Sequence, residues 1–565
     1  MKTFSWMVGT ALTLLPMTAT AERGSDGDLR ILYWQAASTM NPYLSGIAKE
    51  VEAASLVLEP LARFDETGAL VPVLAESIPT LENGGVSADL TRITWTLREG
   101  LTWADGSPVT PQDAIFTWRY CTDDQSGCAA LSLFDGVEEV VALDERRLEI
   151  RFSEPKPYPY TALVSSEAPL LQEAQFADCT GARVAQCTEQ NTYPIGTGPY
   201  RVEEFRANDV ITYTLNPEYR EADKPAFATV TIKGGGDPAS AARAVLQTGE
   251  VDYAWNLQLS PDILAQMTGG PGEVITSDSP AVEFLFLNQT DPDPALGEAR
   301  ATVAGGAHPA FTDPRVGQAL SLAIDRAVIA EALYGDAGVP GCAVVPTPAL
   351  YASDTHADCA TQDLDRAAAL LDEAGWTDSD GDGIRDRDGR KLSLLFQTST
   401  NGVRQDSQAL IKDWWRQIGV ETELRNIDAS VFFGGDPGSP DTRQKFFADV
   451  QMYTDNAKGQ DPEAFLGNWS CANIPSPATQ WQGNNIQRFC SDPYEALIRE
   501  FRTAGSLEDR GRIGRAMNDL LVESYSILPL IHRHTISGKA ATLEGVRMNS
   551  WDSQIWNIAD WHRAD

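Results

Sequence analysis

Three groups of side chains have types and spacings that could do chemistry. The segment DSDGDGIRDRDG, Asp378 to Gly389, sets Asp378, Asp380, Asp382 and Gly383 at positions 1, 3, 5 and 6 of a calcium loop. Position 12, where a bidentate Glu is needed, is Gly389, and the segment leads toward a strand rather than a second helix. Two readings stand, a calcium site and an acidic hairpin turn, and the missing Glu favours the turn. His532 and His534 alternate on a strand pattern and so face one way, but no third ligand follows at a recognisable spacing, which favours a structural role. Gly234-Gly235-Gly236-Asp237-Pro238-Ala239 follows the strand-like TVTIK and formally satisfies G-x-G-x-x-A; Pro238 makes it a plain strand-to-helix turn. H-E-x-x-H, G-x-S-x-G and G-x-x-x-x-G-K-[ST] do not occur. A secreted hydrolase with paired carboxylates would be the enzyme alternative, yet 80 acidic residues supply many accidental pairs. The expectation is therefore a protein that acts without covalent chemistry and without a cofactor.

Those groups sit in a chain of 565 residues, too long for one hydrophobic core, so two or three domains are expected. Lys2, the apolar run Phe4 to Leu15 and Ala19-Thr20-Ala21 have the order of a secretory signal peptide, with cleavage expected before Glu22. No later stretch reaches the roughly 20 apolar residues of a membrane span, which leads to the expectation of a soluble exported protein. The eight cysteines fall as neighbours, Cys121 and Cys128, Cys179 and Cys187, Cys342 and Cys359, Cys471 and Cys490. An even number in an exported chain argues for disulfides; spacing alone leaves the connectivity open, and short-range pairing is the simplest assignment. A net charge of −36, from 80 acidic against 44 basic residues, disfavours nucleic acid and anionic membrane as partners.

Helical and strand patterns alternate throughout, the mark of a mixed α/β protein. RITWTL, Arg92 to Leu97, alternates as a strand, and Thr110-Pro111-Gln112-Asp113 supplies an N-cap, a proline at the first helical position and an acid three residues on, predicting a helix from Pro111 to about Cys121. Similar signals frame Pro314 to Tyr334, Leu364 to Ala374, Gln405 to Ile418 and Leu507 to Tyr525.

Six blocks in order carry a resemblance: LREGLTWADGSPVTPQDAIFTW (Leu97 to Trp118), PIGTGPYRVEEF (Pro194 to Phe205), TGEVDYAW (Thr248 to Trp255), DPRVGQALSLAIDR (Asp313 to Arg326), DLDRAAALLDEAGW (Asp363 to Trp376) and LPLIHRH (Leu528 to His534). Together they resemble the extracellular solute-binding proteins, family 5, which serve peptide and nickel ABC transporters. The resemblance implies an α/β, two-lobed periplasmic-binding-protein fold, class II, of the three-subdomain peptide-binding type, with a two-strand hinge. Mapped here, it implies one lobe from 22–61, 194–288 and 527–565, an inserted subdomain at 62–193 and a second lobe at 289–526, with AVEFLFLNQ and SILPLIH as the crossings. It further implies a monomeric periplasmic receptor that delivers a peptide to an inner-membrane permease. The alternative within the same role is a non-peptide solute such as a metal chelate, an oligosaccharide or an opine-like compound.

The resemblance also points to ligand-binding positions. In MYTDNAKGQDPEAFL, Met452 to Leu466, Asp455 matches the aspartate that pairs with a ligand's α-ammonium in dipeptide-binding members, and Asn456 follows it. Lys458, Gly459 and Gln460 are additional to the family's pattern, so the local path is expected to differ; a turn-capping role for Asp455 is the alternative. Downstream, a Cys471 to Cys490 bridge would close a loop presenting Trp481, Asn484, Asn485 and Arg488, with Trp481 over a side-chain pocket and an asparagine on the peptide backbone; a turn and a surface ion pair are the alternatives. Arg404 could meet a ligand carboxylate or hold a scaffold salt bridge. Thr39 or Met40, in the first cleft loop, could touch ligand.

Overall fold

The computed structural model describes residues 22–564, so the expected leader at 1–21 lies outside the described residues. A seven-stranded sheet runs in the order Gly272–Ser277, Thr535–Ala540, Tyr253–Ala254, Asp28–Tyr33, Thr229–Gly234, Val210–Leu215 and Tyr200–Arg206. A six-stranded sheet runs in the order Gly338–Pro340, Ile527–Arg533, Val282–Leu287, Val450–Asp455, Ser393–Ser399 and Glu421–Ile427. Both mix parallel and antiparallel pairs, for example Asp28–Tyr33 parallel to Thr229–Gly234 and Val282–Leu287 antiparallel to Val450–Asp455. A three-stranded sheet, Arg92–Thr96, Arg147–Phe152 and Val137–Ala142, is surrounded by its own core between Tyr43 and Val184.

Val282–Leu287 and Ile527–Arg533 both belong to the six-stranded sheet and pair antiparallel with each other. The chain passes between sheets at the near ends of these strands, from Ser277 to Val282 and from Arg533 to Thr535. The lobe boundaries expected at 288 and 526 lie at the other ends of the same two strands. Successive side chains serve different cores: Val282, Phe284 and Phe286 face one cluster, Leu285 and Leu287 the other.

Local signals act as their chemistry requires. The helix Pro111–Thr122 starts on a capping box in which Thr110 N–H donates to Asp113 Oδ2 at 2.9 Å. Asn401 caps Gly402–Gln417 by accepting from Arg404 N–H, so that helix begins earlier than its apolar pattern shows. The block Pro314 to Tyr334 is broken: Pro314–Leu322 ends before Asp325, whose side chain caps a new turn by accepting from Val328 N–H. Gly234 ends its strand and Asp237 caps the short helix Pro238–Ala242, which makes the glycine run a strand-to-helix turn.

All eight cysteines pair with their near neighbours, Cys121–Cys128, Cys179–Cys187, Cys342–Cys359 and Cys471–Cys490. Closing a short loop of this kind stabilises by roughly 2 to 4 kcal/mol. No described helix is long and apolar enough to cross a membrane.

Candidate functional site

A cavity of about 180 Å³ lies between the two large sheets. Gln35, Ile47, Glu52 and Trp255 line it from the side of the seven-stranded sheet, Glu167 from the inserted subdomain, and Arg404, Phe433, Arg443 and the stretch Tyr453 to Asn456 with Lys458 from the six-stranded sheet. The strand Val450–Asp455 brings the acid there: its alternation buries Val450 and Met452 in one core and Tyr453 in the other, and Asp455 is its last residue.

The Asp455 residue is half-buried and lines the cavity. Its one hydrogen bond within the chain among the described residues is from Asn456 N–H, at 2.9 Å, and no described Lys, Arg or His nitrogen lies within 4.0 Å. Burial pushes its pKa up, against the pull of Arg443, the Asn456 N–H and Lys458. Glu167 is also held above its ordinary range by burial, reinforced by Asp552 and Asp455 and opposed by Lys458. Arg443 is 8% exposed and is held by neutral groups: Nη1 donates to Tyr453 Oη at 2.9 Å, Nη2 donates to Asn484 Oδ1 at 3.4 Å, and the guanidinium lies 5.0 Å from the Tyr453 ring centre. The wall thus presents an acid without a close cation and a cation without a close acid. Such groups are costly to bury alone and favour a guest that carries the complementary charges. Trp255, stacked on Tyr33 at 4.9 Å, gives the cavity a flat apolar face.

Other buried charges nearby are already satisfied. Arg404 donates from Nε to Glu283 Oε1 at 2.7 Å, from Nη1 to Ser399 Oγ and from Nη2 to Thr454 Oγ1. Arg533 lies 3.8 Å from the same carboxylate and donates to Asn256 Oδ1 at 2.8 Å. Burial opposes ionisation of Glu283, but the two arginines overcome it and hold its pKa low. Arg404 therefore borders the cavity while committed to a scaffold ion pair. Glu52 accepts from Ser553 Oγ and from the Gln554 and Ile555 N–H groups.

Of the positions singled out in the sequence, Asp455, Asn456 and Arg404 line the cavity, and Asn484 reaches it only through Arg443. Asn485 is buried and ties its own loop together, donating to Trp469, Ser470 and Phe489 carbonyls. Arg488 is buried among the carbonyls of Ile486, Gln444 and Lys445, and burial pushes its pKa down to about 9. Trp481 packs edge-on to Phe447 outside the cavity. Thr39 holds the Asn191 carbonyl, and Met40 is core. Sequence reasoning missed Arg443, Glu167 and Trp255; Arg443 carries no local signature, and Glu167 reaches the site from another subdomain.

The acidic turn and the histidines sit apart from the cavity. Asp378, Asp380 and Asp382 gather oxygens within 4.8 Å, Asp378 accepts from the Gly381 and Gly383 N–H groups, and Lys391 pairs with Asp380 and Asp382. His532 contacts the Ser279 carbonyl and His534 contacts Asp278, with ring centres 6.1 Å apart. A larger open groove of about 790 Å³ has most of its charges internally paired, Arg220 to Glu59, Lys224 to Glu221 and Asp560, and Arg146 to Glu76 and Glu99. A groove whose ions neutralise one another has less need of a charged guest than the cavity between the sheets.

The family model of bacterial extracellular solute-binding proteins, family 5, matches residues 69–484. The chain belongs to that family. Among its relatives, the oligopeptide-binding protein AppA of Bacillus subtilis is 24% identical over 95% of this chain and 92% of its own length. The structure of AppA in complex with a nonapeptide superposes with a TM-score of 0.81 at 20% identity, covering 96% of this chain and all of that one. The nickel-binding periplasmic protein of Escherichia coli is 28% identical over 78% of this chain and 76% of its own length. The dipeptide-binding protein of Pseudoalteromonas sp. SM9913, in complex with Met-Leu, gives a TM-score of 0.77 at 16% identity, over 95% of this chain and all of that one. These likenesses identify the mixed α/β fold of the peptide-binding proteins.

Proposed function

We propose that this chain is the periplasmic receptor of an ABC importer, a monomer that encloses a peptide or peptide-like solute between its lobes and passes it to an inner-membrane permease. The observation that carries the reading is the cavity wall, where Asp455 lacks a close cation and Arg443 lacks a close carboxylate. A solute with an ammonium at one end and a carboxylate at the other supplies both, and in a water-poor enclosure each charge-assisted hydrogen bond is stronger than in water. AppA, an oligopeptide-binding protein, and the Pseudoalteromonas dipeptide-binding protein, held with Met-Leu, support a peptide. Recognition of this kind needs closure of two bodies about a hinge and no bond-making.

The test is titration calorimetry of wild type and Asp455→Asn with short peptides. The substitution is expected to weaken binding by about 2–5 kcal/mol, the range for removing one member of a buried charge pair. Unchanged affinity would take Asp455 out of the site.

A further inference from the structure

Lys458, Gly459 and Gln460, the residues additional to the family's pattern, each reach across the cleft. The Lys458 ammonium lies 4.0 Å from the Glu167 carboxylate of the inserted subdomain. Gly459 N–H donates to the Trp551 carbonyl at 3.1 Å, and the Gln460 side-chain amide donates to the Thr67 carbonyl at 2.9 Å. The fit at the centre leaves no room for a side chain: a Cβ on Gly459 would lie 2.4 Å from Phe64 Cε1, and Gly459 holds a φ of +63° that favours glycine. On the opposite side a Cβ on Gly68 would lie 2.8 Å from Gln460 Cγ. Three consecutive residues of one lobe therefore engage three separate segments of the other half.

This junction adjoins Asp455, where a ligand's ammonium is placed by the reading above, and Lys458 itself lines the cavity. The cavity is about 180 Å³, below the roughly 300 Å³ at which pockets for drug-sized ligands begin. A nonapeptide extends to roughly 30 Å at about 3.3 Å per residue. Such a chain, starting at Asp455, is far longer than the cavity and has to extend beyond it.

We propose that Lys458-Gly459-Gln460 is a clasp across the cleft that limits ligand size: the closed receptor takes a short zwitterion, of amino-acid to dipeptide length, and excludes extended peptides. The inference rests on the solute-receptor reading and specifies its ligand class.

Native mass spectrometry of the full chain with a pool of synthetic dipeptides and a pool of synthetic nonapeptides tests the size limit. The dipeptide pool is expected to bind at least about tenfold more tightly, a difference of about 1.4 kcal/mol. Equal or tighter binding of nonapeptides would overturn the size limit and leave the peptide receptor standing; binding of neither pool would overturn both. The clasp is tested separately by Gly459→Ala, whose Cβ meets the Phe64 ring. It is expected to keep the radius of gyration by X-ray scattering at its open value with the dipeptide pool present and to lose binding at least about tenfold. The double variant Gly459→Ala/Phe64→Leu, which removes the obstructing ring atoms, is expected to regain closure and part of the affinity, with circular dichroism unchanged in both. Wild-type closure and affinity in Gly459→Ala, or no recovery in the double variant, would refute the clasp.

Discussion

Glu283 and Asp455 stand on paired strands of one sheet, with Val282 opposite Asp455 and Glu283 opposite Thr454, yet their surroundings differ in kind. Glu283 is fully buried, and two arginines and a threonine hold it ionised. Asp455 faces the cavity with a single backbone donor, and burial pushes its pKa the opposite way. The arginines differ in the same sense, Arg404 on a carboxylate and Arg443 on a phenol and an amide. Removing a member of a satisfied buried pair leaves an uncompensated charge; removing an unsatisfied charge removes a cost. The first set ties paired strands of the six-stranded sheet together; the second is the set that the proposed reading assigns to a guest.

The sharpest way to break this contrast is Glu283→Gln, which strands Arg404 and Arg533. Denaturant unfolding should show a loss of about 3–5 kcal/mol. A loss below about 1 kcal/mol would place the Glu283 cluster in the same class as the cavity wall. The counterpart is Arg443→Met. Calorimetry should show peptide affinity reduced by about 2–5 kcal/mol, while unfolding shows stability unchanged or raised; a stability loss matching that of Glu283→Gln would erase the distinction.

Acid titration sharpens it further because the two acids shift oppositely. Glu283, with its pKa depressed, contributes stability that is present above its unfolded pKa and lost as pH falls through the folded value. Asp455 and Glu167, with raised pKa values, contribute stability that is present below their unfolded pKa and lost as pH rises through the folded values. Ligand-free protein should therefore gain stability from these two groups as pH falls through their raised folded values towards their unfolded ones, while affinity for a cationic ligand end falls over the same interval. Asp455→Asn should flatten the affinity profile and leave only the Glu167 share of the stability gain; scanning calorimetry and binding titrations across pH would show whether it does. The smallest effect is expected at Trp481→Ala, outside the cavity, with an affinity change within about 0.5 kcal/mol.

Much of the fold was legible because its signals are local. Thr110-Pro111 and Asp113 write a helix start, the apolar run Val282 to Leu287 writes a strand, and the cysteine neighbours pair as simply as they can. The sheet to which a strand belongs is a long-range property, so an apolar run alone does not say where the chain changes sheet. The site was legible only in part for the same reason. Asp455 could be found from its own segment, whereas Arg443 and Glu167 become neighbours of the cavity through tertiary folding. Asn485 and Arg488 looked like ligand contacts by type, but their partners are carbonyls of their own neighbourhood, which a loop closed by Cys471–Cys490 needs to satisfy.

The most direct measurement is a crystal structure of the protein with its bound solute. A positive group of the solute within about 3 Å of an Asp455 oxygen and a negative group at Arg443, with Arg404 still on Glu283, is the predicted result. A solute lodged elsewhere, or an Asp455 paired with a cation of the chain itself in the occupied state, would contradict the account.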